Sequence, residues 1–417
     1  MSSETRFLKE LFDAAVAAAL PSECLPPFLP EPASGRNVVI GAGKAAASMA
    51  RAVEQHWNGE IAGLVVTRYG HGVPCDHIEV VEASHPVPDT AGIEAARQMI
   101  ELVTPLTEDD LVLALISGGG SALLTLPAPG ISFSEKQDIN RALLRSGANI
   151  TEMNCVRKHL SAVKGGRLAG HCAPARVECL MISDVPGDDP STVASGPTVP
   201  DPSTRFEAMQ IIKRYGIEAS AKVIDHLQSE ASETPKPSDP VFDRVHNVIV
   251  ASAARSLDAA ARLARGKGIE TIILGDDLEG EARDLGSTHA KLALTMLKDL
   301  SQPTLILSGG ETTVTVTGNG RGGRNVEYLL ALAIVLDGAA GIHALAADTD
   351  GIDGTEDNAG AIITPTTLAR ARAMGFDGHT HLGKNDAYGF FERTGDLVTT
   401  GPTLTNVNDF RAILIKP

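Results

Sequence analysis

Asn37-Val38-Val39-Ile40-Gly41-Ala42-Gly43-Lys44 is the stretch on which the fold turns. An unbroken apolar run of this kind reads as a strand buried on both faces, as the strands of parallel sheets are. It ends in a glycine turn, and the Ala-rich residues after Lys44 favour a helix. Outward from it the same grammar recurs. Residues 61–67 and 78–82 read as strands and 91–102 as a helix. Residues 110–116 read as a strand entering Ser117-Gly118-Gly119-Gly120-Ser121, and 177–182 as a further strand. Strand, turn, helix and strand in alternation predict an α/β fold around a parallel sheet.

Residues 229–240 change character. Ser, Glu and Pro dominate there, with Pro235, Pro237 and Pro240 close together, which is the composition of a linker. A chain of 417 residues is also too long for one ordinary core. The reading is two domains, residues 1–240 and 241–417. The second opens on what reads as another βαβ unit, with strands at 247–251 and 270–274 and a helix at 252–265. Its Asn247-Val248-Ile249-Val250 echoes Asn37 to Ile40 as common βα grammar, not as a repeat. Strands are expected at 304–307, 312–317 and 342–347, a turn at Asn319-Gly320 and a helix at 325–335.

The net charge of −16 argues against a nucleic-acid surface, which needs Lys and Arg. It leaves room for a local basic pocket and an anionic substrate. Five cysteines with no Cys-x-x-Cys speak against a disulfide framework or structural zinc, and fit a reducing cytoplasm. Phe7, Leu8, Leu11, Phe12, Val16 and Leu20 recur at helical spacing, so the N-terminus reads as an amphipathic helix and not a leader. No apolar run reaches membrane-spanning length.

Several segments carry chemistry. Gly41-Ala42-Gly43-Lys44 offers backbone N–H groups and a lysine to an anion at a helix start. It is not a Walker A loop, and with Ala46 it nearly matches a dinucleotide fingerprint. It reads equally as a tight turn with a solvated lysine. Ser117, Gly118, Gly119, Gly120 and Ser121 form a candidate amide nest for phosphate or carboxylate. Residues 154–167 concentrate Arg157, Lys158, His159, Lys164 and Arg167, either to attract ATP or a carboxylate or as a solvated helix face. Ser183-Asp184-Val185-Pro186-Gly187-Asp188-Asp189 sits after a strand, where open α/β sheets bind ligands. Its carboxylates are hard ligands suited to Mg²⁺. Arg321 and Arg324 lie among glycines between a strand and a helix. Asp348-Thr349-Asp350-Gly351-Ile352-Asp353-Gly354 fails the EF-hand pattern at Ile352 and Ala359. It stays open as a Mg²⁺ or substrate-hydroxyl site, or as a solvated acidic turn. Nests, a lysine, an arginine and carboxylates suit phosphoryl transfer better than acyl transfer, which needs a covalent nucleophile.

In order, these segments resemble the class II glycerate 2-kinase, or MOFRL, family from about Val38 to Ile413. Further matching segments are Ser84-His85-Pro86-Val87-Pro88-Asp89, Gly309-Gly310-Glu311-Thr312, Gly322-Gly323-Arg324-Asn325 and Asn406-Val407-Asn408-Asp409. The resemblance implies a Rossmann-like large N-terminal domain, a smaller α/β C-terminal domain and an active-site cleft between them. It implies ATP, Mg²⁺ and phosphorylation of D-glycerate to 2-phosphoglycerate. Lys44 and Arg324 become the catalytic pair, and alanine at either should cut turnover and leave the fold intact. His85, Lys158, Asp350 and Asp353 become substrate-binding residues, and Asp188 and Asp189 metal-binding ones. A homodimer is compatible with it. Val326 and Ala387 depart from the family's usual Gln and Ser without changing a charge. The rival is an NAD(P)H-dependent hydroxypyruvate reductase, a label that family members in tartrate-degradation operons often carry. The near-fingerprint at Gly41 and Arg68 on the next strand favour it.

Overall fold

A computed structural model describes residues 2–417. Six strands form the first sheet: β1 (Asn37–Ala42), β2 (Ala62–Arg68), β3 (Ile78–Ala83), β4 (Leu111–Ser117), β5 (Arg176–Ile182) and β6 (Val245–Ala251). Their spatial order is β3-β2-β1-β4-β5-β6, and the β1–β2, β1–β4, β2–β3 and β4–β5 pairs are all parallel. The order reverses at β1, whose neighbours are β2 and β4. Such a switch point leaves a crevice beyond the strands' carboxyl ends. Both turns singled out above, after β1 and after β4, leave the sheet at that edge. Leu111 to Ser117 is buried at every position, as a central strand covered on both faces must be.

The second sheet contains β7 (Glu270–Ile273), β8 (Thr304–Ser308), β9 (Ile342–Asp348), β10 (Gly360–Ile363), β11 (Leu397–Val398) and β12 (Asp409–Ile415). Its order is β11-β10-β9-β12-β8-β7, antiparallel throughout except for the parallel β7–β8 pair. The expected βαβ opening of the second domain is therefore not one unit. The strand at Val245–Ala251 closes the first sheet, and Glu270–Ile273 is an edge of the second. Residues 312–317 also fall short of a strand, for only Thr312–Thr313 pairs, with Gly280–Glu281.

The chain divides into two compact units. One comprises Cys24–Ser183 and Asp188–Val250. The other comprises Asp184–Gly187, Ala251–Pro417 and the N-terminal residues through Glu23. The split differs from 1–240 and 241–417 at the boundary, which falls after Val250, at Asp184–Gly187, and at its start, where the reason is plain. Helix Ser3–Ala17 buries Phe7, Leu8, Leu11 and Phe12 against Leu257, Ala260, Phe410 and Ala412 of the second unit. Ser256 Oγ donates to Ala15 O at 2.8 Å, and the Phe12 and Phe410 rings lie 5.9 Å apart. The helix is amphipathic as expected, and its apolar face assigns it to the second core. In the first unit, helices Phe133–Ser146, Ile150–His159, Arg205–Arg214 and Ala221–Gln228 form a separate helical cluster around Ile139, Leu143, Val156 and Ile211. Among the described residues no helix is long and apolar enough to cross a membrane.

Candidate active site

The two glycine turns of the first unit are tied together. Lys44 N donates to Gly118 O at 2.8 Å, and Ala45 N donates to Ser117 Oγ at 3.0 Å. Ser117 is fully buried and thus fixes the turns instead of facing a ligand. Gly43 has φ +141°, and a Cβ there would lie 2.1 Å from Ser117 Oγ, so only glycine fits. Gly41 and Gly120 serve packing: a Cβ would meet Leu115 O at 2.4 Å and Ala194 Cβ at 2.7 Å respectively. Gly119 is different. With φ +78° it caps helix Gly120–Leu123, and its Cβ position is 3.0 Å from His85 Nε2 and 3.2 Å from Lys44 Cγ. Glycine, histidine and lysine therefore converge on one spot.

That spot opens into a pocket of about 540 Å³ within the first unit. His85, Gly119, Ser121, Lys136, Arg157 and Lys164 are among the residues that line it. No carboxylate occurs among the described residues lining it. Burial, and then Arg157, push the Lys136 ammonium down from 10.5 to about 7. Burial first, with Lys136 and Arg157, holds Lys164 well below the usual lysine range. Lys164 Nζ donates to Ser121 O at 2.8 Å and to Ala194 O at 3.4 Å, which anchors the second turn from beneath. Cations converging here without an acid make a site for an anion. Lys136 and Arg141 were not anticipated. The signal was present as i, i+4 spacing: Lys136, Asn140 and Leu144 form one row of helix Phe133–Ser146, and Gln137 and Arg141 the next.

In the second unit Arg324 begins helix Arg324–Leu336 and is saturated with acids. Nε donates to Asp409 Oδ1 at 2.7 Å, Nη2 to Asp348 Oδ2 at 2.8 Å, and Nη1 to Glu311 Oε1. Burial works against its charge, but Asp409, Asp348 and Glu311 outweigh that and raise its pKa. Asp409 also accepts from Asn325 Nδ2 at 2.8 Å and from Arg411, whose guanidinium lies over the Tyr328 ring. Asp353 is fully buried and accepts from Asn325 N at 3.0 Å and Val326 N at 2.9 Å. It holds the helix N-terminus, and so the base of Arg324, in place. Burial raises it to about 6 despite those bonds. Val326 contributes only its backbone there.

Comparison with known proteins decides the family. A domain of unknown function (DUF4147) matches residues 7–228, and the MOFRL family matches residues 304–409. The D-glycerate 2-kinase of Thermotoga maritima is 42% identical over 96% of this chain and 95% of its own length. The chain belongs to the MOFRL family of glycerate kinases. The crystal structure of the Thermotoga maritima glycerate kinase superposes with a TM-score of 0.92 at 41% identity, covering 99% of both chains. An Agrobacterium vitis protein provisionally named a hydroxypyruvate reductase is 52% identical over 99% of this chain and 95% of its own.

The residues that the MOFRL resemblance assigns to the site fall into distinct places. Lys44, His85, Gly119 and Ser121 come together in the first unit. Lys158 does not join them, being buried with Nζ 3.4 Å from Asp201 Oδ1. His159 and Arg167 from the same segment also bond to backbone carbonyls, so of that basic run only Arg157 and Lys164 reach the pocket. Asp189 is exposed, and its carboxylate accepts from Ser191 N at 2.9 Å, Ser191 Oγ at 2.7 Å and Thr192 Oγ1 at 3.2 Å. Asp188 is half-buried with φ 53°. Among the described residues no three His, Cys, Asp or Glu side chains cluster as a metal site. In the second unit Asp350 is buried and accepts from Ile352 N at 2.9 Å. The acidic loop thus supports Arg324 through Asp348 and Asp353 more than it presents free carboxylates.

Proposed function

We propose that this chain transfers the terminal phosphoryl group of ATP to the 2-hydroxyl of D-glycerate, giving 2-phosphoglycerate. The observation that carries the reading is collinear identity with a D-glycerate 2-kinase through 96% of the chain. The site chemistry agrees with it. Phosphoryl transfer asks for charge neutralisation and alignment, not a covalent nucleophile. Lys44 and Arg324 are its catalytic cations. Lys44 stands beside the Gly119 turn, and Arg324 is held in one orientation by its acids. Gly119 and Ser121 face phosphate, and Gly41, Gly43, Ser117 and Gly120 shape the turns that present them. His85 and Asp350 bind substrate in this proposal, and Lys158 and Asp353 position neighbouring elements from within the core.

Mg²⁺ takes one or two carboxylates and completes its shell with phosphate oxygens and water. Asp188 and Asp189 fit that need, because the Ser191 and Thr192 donors fix the Asp189 carboxylate without using all its lone pairs. When bound, the ion neutralises phosphate charge. The proposed setting is cytoplasmic.

The hydroxypyruvate reductase name of the 52% identical relative keeps a second reading in view. One sample decides between them. It is incubated with D-glycerate, ATP and Mg²⁺ and followed by phosphorus NMR, and in parallel with hydroxypyruvate and NAD(P)H. The expected outcome is 2-phosphoglycerate and no hydride transfer. NAD(P)H consumption without ATP turnover would overturn the kinase reading.

A further inference from the structure

The pocket of the first unit is larger and more apolar at its mouth than a phosphate cradle requires. Its floor is cationic, with Lys136, Arg157 and Lys164. Its rim is not. Val87 and Leu144 both line it, yet they are 65% and 66% exposed. Large apolar side chains left in water beside a pocket offer surface that a bound ligand can cover. Pro86 and Pro88 flank Val87 and stiffen that wall. Leu144 lines the same pocket, at the end of the helix row that begins with Lys136 and Asn140.

We infer that this pocket is the nucleotide site, with the base held between Val87 and Leu144. The polyphosphate then runs over Arg157, Lys136 and Lys164 to Gly119, Ser121 and Lys44. The inference rests on the kinase reading above and deepens it by naming a base clamp and a phosphate track. A purine offers a flat apolar face to two aliphatic side chains, which gains burial and dispersion on both sides. A polyphosphate carries the charge that the acid-free floor lacks. A three-carbon acid does neither: it leaves most of the 540 Å³ empty and gives the apolar rim nothing to cover. The volume lies within the roughly 300–1,000 Å³ of pockets that enclose drug-sized ligands. Arg157 Nε donates to Asn140 Oδ1 at 3.2 Å, which fixes the guanidinium over the floor. Arg141, which also lines the pocket, pairs with Asp138 on the exposed helix face.

The test uses the full chain and Mg²⁺ with the non-hydrolysable ATP analogue AMP-PNP, titrated by calorimetry, beside steady-state kinetics with ATP and D-glycerate. Leu144→Glu places a carboxylate at the rim, on an exposed position where folding is not at stake. It should weaken AMP-PNP binding by about tenfold or more, raise KM for ATP in step, and leave KM for D-glycerate within about twofold. Arg157→Gln should act in the same direction. Unchanged AMP-PNP affinity with a raised KM for D-glycerate would give the pocket to the acceptor and overturn the inference. So would unchanged values for both ligands. A wild-type protein that binds AMP-PNP in this Leu144-dependent way but leaves glycerate unphosphorylated would sink the glycerate reading and keep the site. Normal glycerate phosphorylation with nucleotide binding indifferent to Leu144 would do the reverse.

Discussion

Both units gather positive charge, and they treat it in opposite ways. In the first, Lys136, Arg157 and Lys164 share a pocket with no acid among the described residues lining it, and burial depresses the two lysines. In the second, Arg324 meets Asp348, Asp409 and Glu311 at once, and its charge is locked on. An uncompensated group of cations in a protein of net charge −16 is a binding surface that an anion completes. A compensated arginine is a positioned tool whose orientation is set before any ligand arrives. Changes that are equivalent for chemistry should therefore differ for folding.

The sharpest contrast is Lys44→Ala against Arg324→Ala. Each should lower kcat by about 10²–10³-fold, the usual cost of losing one preorganised charge. Only Arg324→Ala should also lower the melting temperature. It strands three carboxylates around an empty position, two of them almost wholly buried. Breaking a buried pair costs about 3–5 kcal/mol, and the low end applies because the guanidinium is partly exposed. On this prediction the expectation that both variants leave the fold intact holds for Lys44 and not for Arg324. Arg324→Lys should not restore turnover, since one ammonium cannot serve three acids in fixed directions. Calorimetric melting of both alanine variants at the wild-type temperature would remove the structural half of the contrast.

That asymmetry also measures what the sequence could say. The βα turns at Gly43 and Gly119 were legible because their signals are local: an apolar strand, glycines, then a helix. The first sheet followed from the same pattern. The second did not, because antiparallel pairing of Ile342–Asp348 with Asp409–Ile415 joins residues far apart in the chain, and no local periodicity records a partner. The strand at Val245–Ala251 was found but given to the wrong sheet for the same reason. Arg324 stood out among its glycines and took its catalytic role from the resemblance, but its acids were seen only as separate motifs at Glu311, Asp348 and Asp409. The pocket floor was half legible, with Arg157 and Lys164 inside a visible basic run and Lys136 outside it. Lys158, from that same run, turned inward to Asp201, because charge along a sequence does not state which side of a helix faces a cavity.

A second way to sharpen the contrast is pH. Lys136 has a folded-state pKa lowered from 10.5 to about 7 by burial and then by Arg157, and Lys164 is the other buried amine of the pocket. A base with a depressed pKa is mostly neutral in the free protein above pH 7, and a bound polyphosphate restores its proton. Binding then takes up a proton between pH 7 and 10.5, so affinity falls as pH rises. The dissociation constant of Mg²⁺–AMP-PNP should rise about tenfold from pH 6.5 to 8.5, and Lys136→Met should flatten that slope. Stability moves the other way. The burial penalty on the charged form is complete below pH 7 and gone above 10.5, so Lys136→Met should stabilise the protein more at pH 6.5 than at pH 10. The nucleotide's own titration is common to both proteins and cancels in the comparison. Parallel slopes in the two would show that Lys136 does not face the phosphates.

The smallest effect tests whether the compensated arginine is as finished as it looks. Of its three acids, Asp409 and Asp348 have side chains 0% and 7% exposed, while Glu311 is 49% exposed. A half-solvated carboxylate is the cheapest of the three to displace, since water takes over its hydrogen bonds. A phosphoryl oxygen arriving at Arg324 should therefore replace Glu311 and leave the buried pair intact. Glu311→Gln removes the competing charge and keeps the shape. It should cost less than about 1 kcal/mol of stability, as exposed pairs do. It should raise kcat/KM by about two- to threefold, because an exposed ion pair is worth only a fraction of a kcal/mol. A loss of more than about tenfold would mean that Glu311 itself touches substrate or metal. Arg324 would then be oriented by two acids instead of three, and the difference between the two units would be one of degree.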